Sequence, residues 1–260
     1  MSRIVNRLSR LFVLWLLLMG CSLSCPVGMN ETQAIEAQTA SDEAGFESIF
    51  DGRTLKGWEG DPKYWRVEGG ALVGEVRPET ILRQNSFIIW RGGEPADFEL
   101  KVSYRISERG NSGINYRSTE VAGVPFALKG YQADIDGPLR NKGDLRHTGQ
   151  NYEERGRTFL ARRGQFVRVE EGRPPTLLAS LGAGSELASF IRERDWNEYH
   201  LIARGNVLVH ILNGRVMSVV VDEDAKARSM SGLLGVQVHV GPPMKVEYRD
   251  FRLKRLRAGS

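Results

Sequence analysis

From Phe46 onward, apolar side chains recur mostly at every second residue. Phe98, Leu100, Val102 and Tyr104 alternate with Glu99, Lys101, Ser103 and Arg105; Leu234, Val236, Val238 and Val240 alternate with Gly235, Gln237 and His239. A period of two turns one set toward a core and the other away from it, as in half-buried strands. Asn213-Gly214, between the apolar stretches 207–212 and 216–221, predicts a tight hairpin, and Gly69-Gly70 predicts another turn. Only residues 185–193 carry helical spacing, over a short stretch. Many strands, one core and no room for helical crossovers predict an all-β fold, a β-sandwich of two antiparallel sheets.

Composition sharpens this picture. Of 260 residues, 29 are glycine and 10 proline, which suits short strands joined by turns. The net charge of +4 owes much to the N-terminus, where the first 20 residues hold three arginines and no acid. Without them, 33 basic residues face 32 acidic ones. So neutral a body gives no support to a nucleic-acid partner, which needs a net basic face. Two cysteines, both before residue 26, exclude a disulfide framework or a Cys-rich zinc module in the body.

Arg3, Arg7 and Arg10 precede the apolar run 11–19. That run is shorter than the roughly 20 residues a membrane helix needs, so residues 1–20 read as a signal peptide. Leu18-Met19-Gly20-Cys21 resembles a bacterial lipobox, which makes Cys21 the expected lipidation site and the membrane a partner through that anchor only. Ordinary signal cleavage is the alternative. Residues 21–45 have few large apolar side chains and read as a flexible tether, and residues 46–257 as one folded domain. The expected location is the bacterial cell envelope after export, lipid-anchored or periplasmic.

Five stretches of the body occur in a specific order: FDGRTLKGW (50–58), NSGINYR (111–117), GYQADID (130–136), WNEYHLIARGNVLVHILNG (196–214) and GVQVHVGPPMKVEYRDFRLK (235–254). Together they resemble the 3-keto-disaccharide hydrolase domain family, over nearly the whole body. The chain departs from many relatives at Gln132 and Asp134, where they carry Glu and Gln. The resemblance implies a concanavalin-A-like jelly roll and action on glycosides oxidised at C3 of the sugar.

Candidate chemistry clusters in these stretches. Gln132, Asp134 and Asp136 recur every second residue and share one strand face, the two acids about 7 Å apart. Two acids so placed repel unless a cation, sugar hydroxyls or water compensate. The functional reading is a metal site or an acid/base pair, against a solvated polar face or, for Asp136, a turn acid before Gly137-Pro138. Asn111 and Ser112 form an expected turn beside a cleft, and Arg117 supplies a planar cation for a sugar oxygen or an acid. Arg105 is weighed the same way, a salt bridge within the sheet being the alternative for both. His239, two residues past Gln237, can bind metal or shuttle a proton, or be a hydrogen-bonded surface histidine. His210 lies among apolar neighbours and reads as structural, while His147 and His200 stand in no pattern. The family resemblance places Tyr152 and Glu153 at the edge of a sugar cleft, as stacking platform and base, a packing tyrosine and an exposed loop acid being the alternatives. The arginines at 155, 157, 162, 163, 168 and 173 read as a solvated face, and Trp58, Trp65, Trp90 and Trp196 as core.

These readings lead to an enzyme that cleaves 3-keto-glycosides by C2 deprotonation, β-elimination and hydration. A divalent metal cation is expected at Asp134 and His239, Gln132 and Arg117 orienting the carbohydrate, and Glu153 or Asp136 as base. A non-catalytic carbohydrate-binding domain, an anchored interaction module and a conventional glycosidase are the alternatives.

Overall fold

A computed structural model describes residues 43–141 and 146–257; the signal segment, Cys21 and nearly all of the tether lie outside the described residues. Among the described residues, the body forms seventeen strands: β1 (Glu47–Ser48), β2 (Trp58–Glu59), β3 (Trp65–Glu68), β4 (Ala71–Val76), β5 (Ser86–Trp90), β6 (Phe98–Ile106), β7 (Asn111–Glu120), β8 (Leu128–Asp136), β9 (Asn151–Glu154), β10 (Thr158–Ala161), β11 (Gln165–Val169), β12 (Thr176–Ser180), β13 (Asn197–Arg204), β14 (Val207–Leu212), β15 (Arg215–Asp222), β16 (Leu233–Val238) and β17 (Met244–Arg255). The predicted helix is present but shorter, α1 (Gly184–Ala188). Beyond it the chain tightens into i→i+3 bonds, from Phe190 N to Leu187 O and from Ile191 N to Ala188 O.

The strands assemble into two sheets. A ten-stranded sheet runs β12-β11-β15-β14-β13-β6-β17-β4-β3, with β1 added beside β17; a seven-stranded sheet runs β10-β9-β8-β7-β16-β5-β2. Pairing is antiparallel except for β11 with β15. Both predicted hairpins form. Gly69 and Gly70 join β3 to β4, and Asn213 and Gly214 join β14 to β15, all four at positive φ, as a two-residue turn matched to strand twist requires.

Alternation then sorts the side chains. Leu100, Val102 and Tyr104 of the large sheet face Ile114, Tyr116, Tyr131, Ala133 and Ile135 of the small one, in one continuous core. Trp58, Trp65 and Trp90 are buried, as expected. Trp196 instead lies between the guanidinium groups of Arg105 and Arg249, 4.9 and 4.0 Å from its ring centre. The outer face of the small sheet is divided. One part carries a separate apolar cluster of Phe87, Ile89 and Leu128 with Leu233 against it. The other part is polar and opens into a cleft.

Candidate active site on the outer face of the small sheet

Strand register builds the cleft. In β8, Tyr131, Ala133 and Ile135 point into the core, so Gln132, Asp134 and Asp136 point outward. Opposite them on β7 stand Asn115, Gly113 and Asn111, in that order. On the other side β9 pairs Tyr152 with Gln132 and Glu153 with Tyr131, which puts Tyr152 and Glu154 on the cleft face and Glu153 on the inner one. Phe159 of β10 pairs with Tyr152 and joins the same face. The resulting cleft, about 540 Å³, is lined by Asn111, Gln132, Asp134, Tyr152, Glu154 and Phe159 from these strands. Asn85, Arg140, Asn141, His147 and His239 complete its walls from the flanking segments.

A hydrogen-bonded floor runs across the strands. Gln237 Nε2 donates to Gln132 Oε1 (3.1 Å), and Gln132 Nε2 donates to Asp134 Oδ1 (2.6 Å). Gln237 Nε2 also reaches Glu154 Oε2 (3.4 Å), whose other oxygen accepts from Asn85 Nδ2 (3.1 Å). Gly113 makes this possible, because a Cβ there would stand 2.4 Å from the side chain of Gln132, which lies across it.

Burial sets the electrostatics. It pushes the Asp134 carboxyl well above the ordinary carboxylate range; the Gln132 hydrogen bond opposes this, and the charges of Asp136 and Glu154 add to it. Glu154 is also raised by burial, against the bonds from Asn85 and Gln237. His147 and His239 are both pushed down by burial, with Arg140 adding to the effect on each. Tyr152 is raised by burial and by the two acids, which keeps its phenol protonated. The cleft therefore combines carboxyls biased toward the acid form with imidazoles biased toward the free base.

Asp136 has a different place from the one expected. Only 1% exposed, it accepts from Asn111 Nδ2 (2.6 Å) on Oδ1, and from Asn141 Nδ2 (2.9 Å) and the His147 backbone N–H (2.8 Å) on Oδ2. These bonds occupy it as an anchor beneath the wall rather than as a base facing substrate.

Several other expectations need correction. Glu153 is not the cleft acid: it grips Arg157, whose Nε donates to Oε2 at 2.7 Å, and Arg157 also binds Asp222. Glu154 takes its place on the cleft face. Arg117 does not reach the cleft. A bulge after Tyr116 and a φ of +46° break the alternation, and its buried guanidinium binds the carbonyls of Ala96 and Gly205 and the carboxylate of Asp97. Arg105 is on the large sheet, paired with Glu247 at 2.6 Å. Asn111 and Ser112 lie within β7 rather than in a turn, and Ser112 faces the core, its hydroxyl against Gln237 O and Tyr248 OH. Gln237 supports the floor without lining the cleft. His239 lines the cleft from just past the end of β16. Arg157 and Arg163 are not a solvated face, since Arg163 is buried against the carbonyls of Arg146, Thr148 and Gly184. Residues that the sequence did not flag are Glu154, His147, Asn85, Arg140 and Phe159. Glu154 shares the parity of Tyr152, but nothing in the sequence marks which of the two adjacent glutamates faces inward.

Asp134 and His239 do line one cleft, but among the described residues no group of three or more His, Cys, Asp or Glu side chains is arranged to hold a metal ion. The expected cation therefore has two donors there and no assembled cage.

A jelly-roll sandwich with a polar, acid-bearing cleft on one sheet is the class of architecture this chain adopts. A candidate glycosyl hydrolase from Parabacteroides distasonis has the same fold, with a TM-score of 0.56 at 21% identity over 88% of this chain and 98% of that one. A second from that organism gives 0.53 at 15% identity, over 81% and 99%. The chain belongs to the 3-keto-alpha-glucoside-1,2-lyase-like domain family, whose profile matches residues 45–254. Over 91 residues it is 33% identical to a 3-keto-disaccharide hydrolase of Bacteroides thetaiotaomicron; this segment is 32% of the chain and about a third (31%) of that protein.

Proposed function

We propose that the protein cleaves glycosides oxidised at C3 of the sugar, by elimination across C1–C2 followed by hydration. The observation that carries this reading is the pairing, in one cleft, of a carboxyl biased toward its protonated form with imidazoles biased toward the free base. The ketone at C3 acidifies the C2 hydrogen. A base on the cleft wall takes that proton, the electron pair forms the C3 enolate, and the enolate expels the C1 oxygen. Asp134 gives its proton to the departing oxygen. Water then adds across the C1–C2 double bond, hydroxyl to C1 and hydrogen to C2, and net hydrolysis results. Arg140 and the Gln132 amide supply donors for the enolate oxygen, and Tyr152 with Phe159, 5.0 Å apart, offers an aromatic wall to the ring. No step is routed through a metal.

The test is turnover of a 3-keto glucoside by the full-length protein beside the matching unoxidised glucoside. Cleavage of the oxidised sugar alone, lowered about 100-fold by Asp134→Asn with an unchanged circular dichroism spectrum, supports the reading. Full activity of Asp134→Asn, or cleavage of the unoxidised glucoside, overturns it. Binding without product would make the domain a carbohydrate-binding module. A chelator arm addresses the cation: loss of turnover restored by a divalent metal would show a metal requirement, and weaker rescue in His239→Ala would assign the cation to Asp134 and His239 and the acid to another group. Export with lipidation at Cys21 remains part of the proposal, supported by the leader pattern and checked by metabolic labelling with a fatty acid.

A further inference from the structure

We propose that His147 is the base that removes the C2 proton, and that Asp136 positions it. The inference rests on the functional reading above and adds to it the identity of the base. His147 lines the cleft, and its Nδ1 stands 3.6 Å from Asp136 Oδ2, the same oxygen that accepts its backbone N–H. The ring is braced by Phe159, 5.1 Å between centres and inclined at 56°. With Nδ1 turned to the buried carboxylate, Nε2 is the nitrogen left to meet substrate. Asp136 cannot drift, because Asn111 and Asn141 each hold one of its oxygens. At 3.6 Å the fixed carboxylate makes no hydrogen bond to the ring, and its charge stabilises the imidazolium that forms when the proton arrives.

The other bases of the cleft are less well arranged. Both Glu154 oxygens are already engaged as acceptors, by Asn85 and Gln237, so neither is turned free toward a C–H proton. His239 donates from Nδ1 to the carbonyl of Val240, its own neighbour, and meets no carboxylate there. Among the described bases of the cleft, His147 is the one with a buried carboxylate, Asp136, at ion-pair distance from its ring (3.6 Å). In the step, the C2–H bond breaks, its proton bonds to Nε2, and its electrons pass through the enolate to break the C1–O bond. During hydration the imidazolium, after exchange with solvent, gives a proton back to C2, and the water that supplies hydroxyl to C1 passes its own proton to Asp134, so both groups end as they began.

The experiment uses the full-length protein with a 3-keto glucoside. His147→Gln should lower kcat about 1000-fold and abolish incorporation of solvent deuterium at C2 of the 3-keto sugar product. His147→Ala should regain activity with added imidazole, which a structural role would not produce. Asp136→Asn should lower kcat about 10-fold or more with KM within about threefold, and enlarge the isotope effect on a C2-deuterated substrate. His147→Gln turning over within threefold of the natural protein, or exchange at C2 that persists in it, overturns the assignment while leaving the functional reading standing. If the natural protein itself cleaves no 3-keto glucoside, both fall.

Discussion

His210 offers a sharp test of how the core is built. It lies on β14 with no exposed surface, its Nε2 2.8 Å from the Tyr116 hydroxyl and 3.3 Å from Asn151 Nδ2. Asn151 donates to the Tyr116 hydroxyl as well (3.0 Å), so a proton on Nε2 would meet a donor that already points there. Burial pushes the ring from the ordinary 6.5 down to about 3. The folded pKa is depressed, so in acid the unfolded chain binds a proton that the native chain refuses, and stability is lost as the pH falls below 6.5 toward 3. Between pH 7 and pH 5 the gap is about 1.5 pH units at 1.36 kcal/mol each, or about 2 kcal/mol from this one ring. Asp134 and Glu154 work in the opposite sense, because their raised pKa values let the native state take protons first. The effect of His210 is isolated by comparing the natural protein with His210→Gln, which keeps an acceptor and cannot titrate. Urea unfolding at both pH values should show the natural protein losing about 2 kcal/mol more than the variant. Identical pH dependence in the two proteins would refute a neutral buried imidazole.

Three further outcomes follow from the geometry. Glu154→Gln should lower turnover about 10-fold or more at nearly unchanged stability, whereas Glu153→Gln should cost about 1–3 kcal/mol in chemical denaturation through its bonds to Arg157 and leave turnover per folded molecule intact. Gly113→Ala should displace Gln132 and lower turnover of a 3-keto glucoside about 10- to 100-fold, with an overpacking cost of about 1–3 kcal/mol read from the urea midpoint. Arg117→Met should cost about 3–5 kcal/mol by leaving Asp97 and three backbone carbonyls short of a buried partner, visible as a lowered Tm, while KM for the sugar stays unchanged.

The sandwich was legible because its strands alternate cleanly and its hairpins carry glycines at positive φ, both local signals. The shared outward face of Gln132 and Asp134 was legible for the same reason, since Tyr131, Ala133 and Ile135 mark the inner one. That logic failed where the marker was missing or the period broke. In β9, Asn151, Glu153 and Glu154 are all buried and polar, so nothing in Asn-Tyr-Glu-Glu says which glutamate faces the core. At Arg117 a bulge resets the parity inherited from Asn115, and no residue type there announces it. His147 sits outside any strand, and its value comes from Asp136, eleven positions earlier, through contacts that only the closed fold creates.

The anchoring of Asp136 has one more consequence, for how this cleft can diversify. Through a single oxygen it clasps Asn141 on one side and His147 on the other, so the two ends of the intervening chain are pinned to the sheet whatever lies between them. Closing a loop grows harder only slowly with its length, each doubling costing about 0.6 kcal/mol. A longer connection between those two points therefore costs little thermodynamically, and Asn141 and His147 keep their places on the cleft wall. The clasp thus uncouples the length of that connection from the placing of the two cleft residues at its ends.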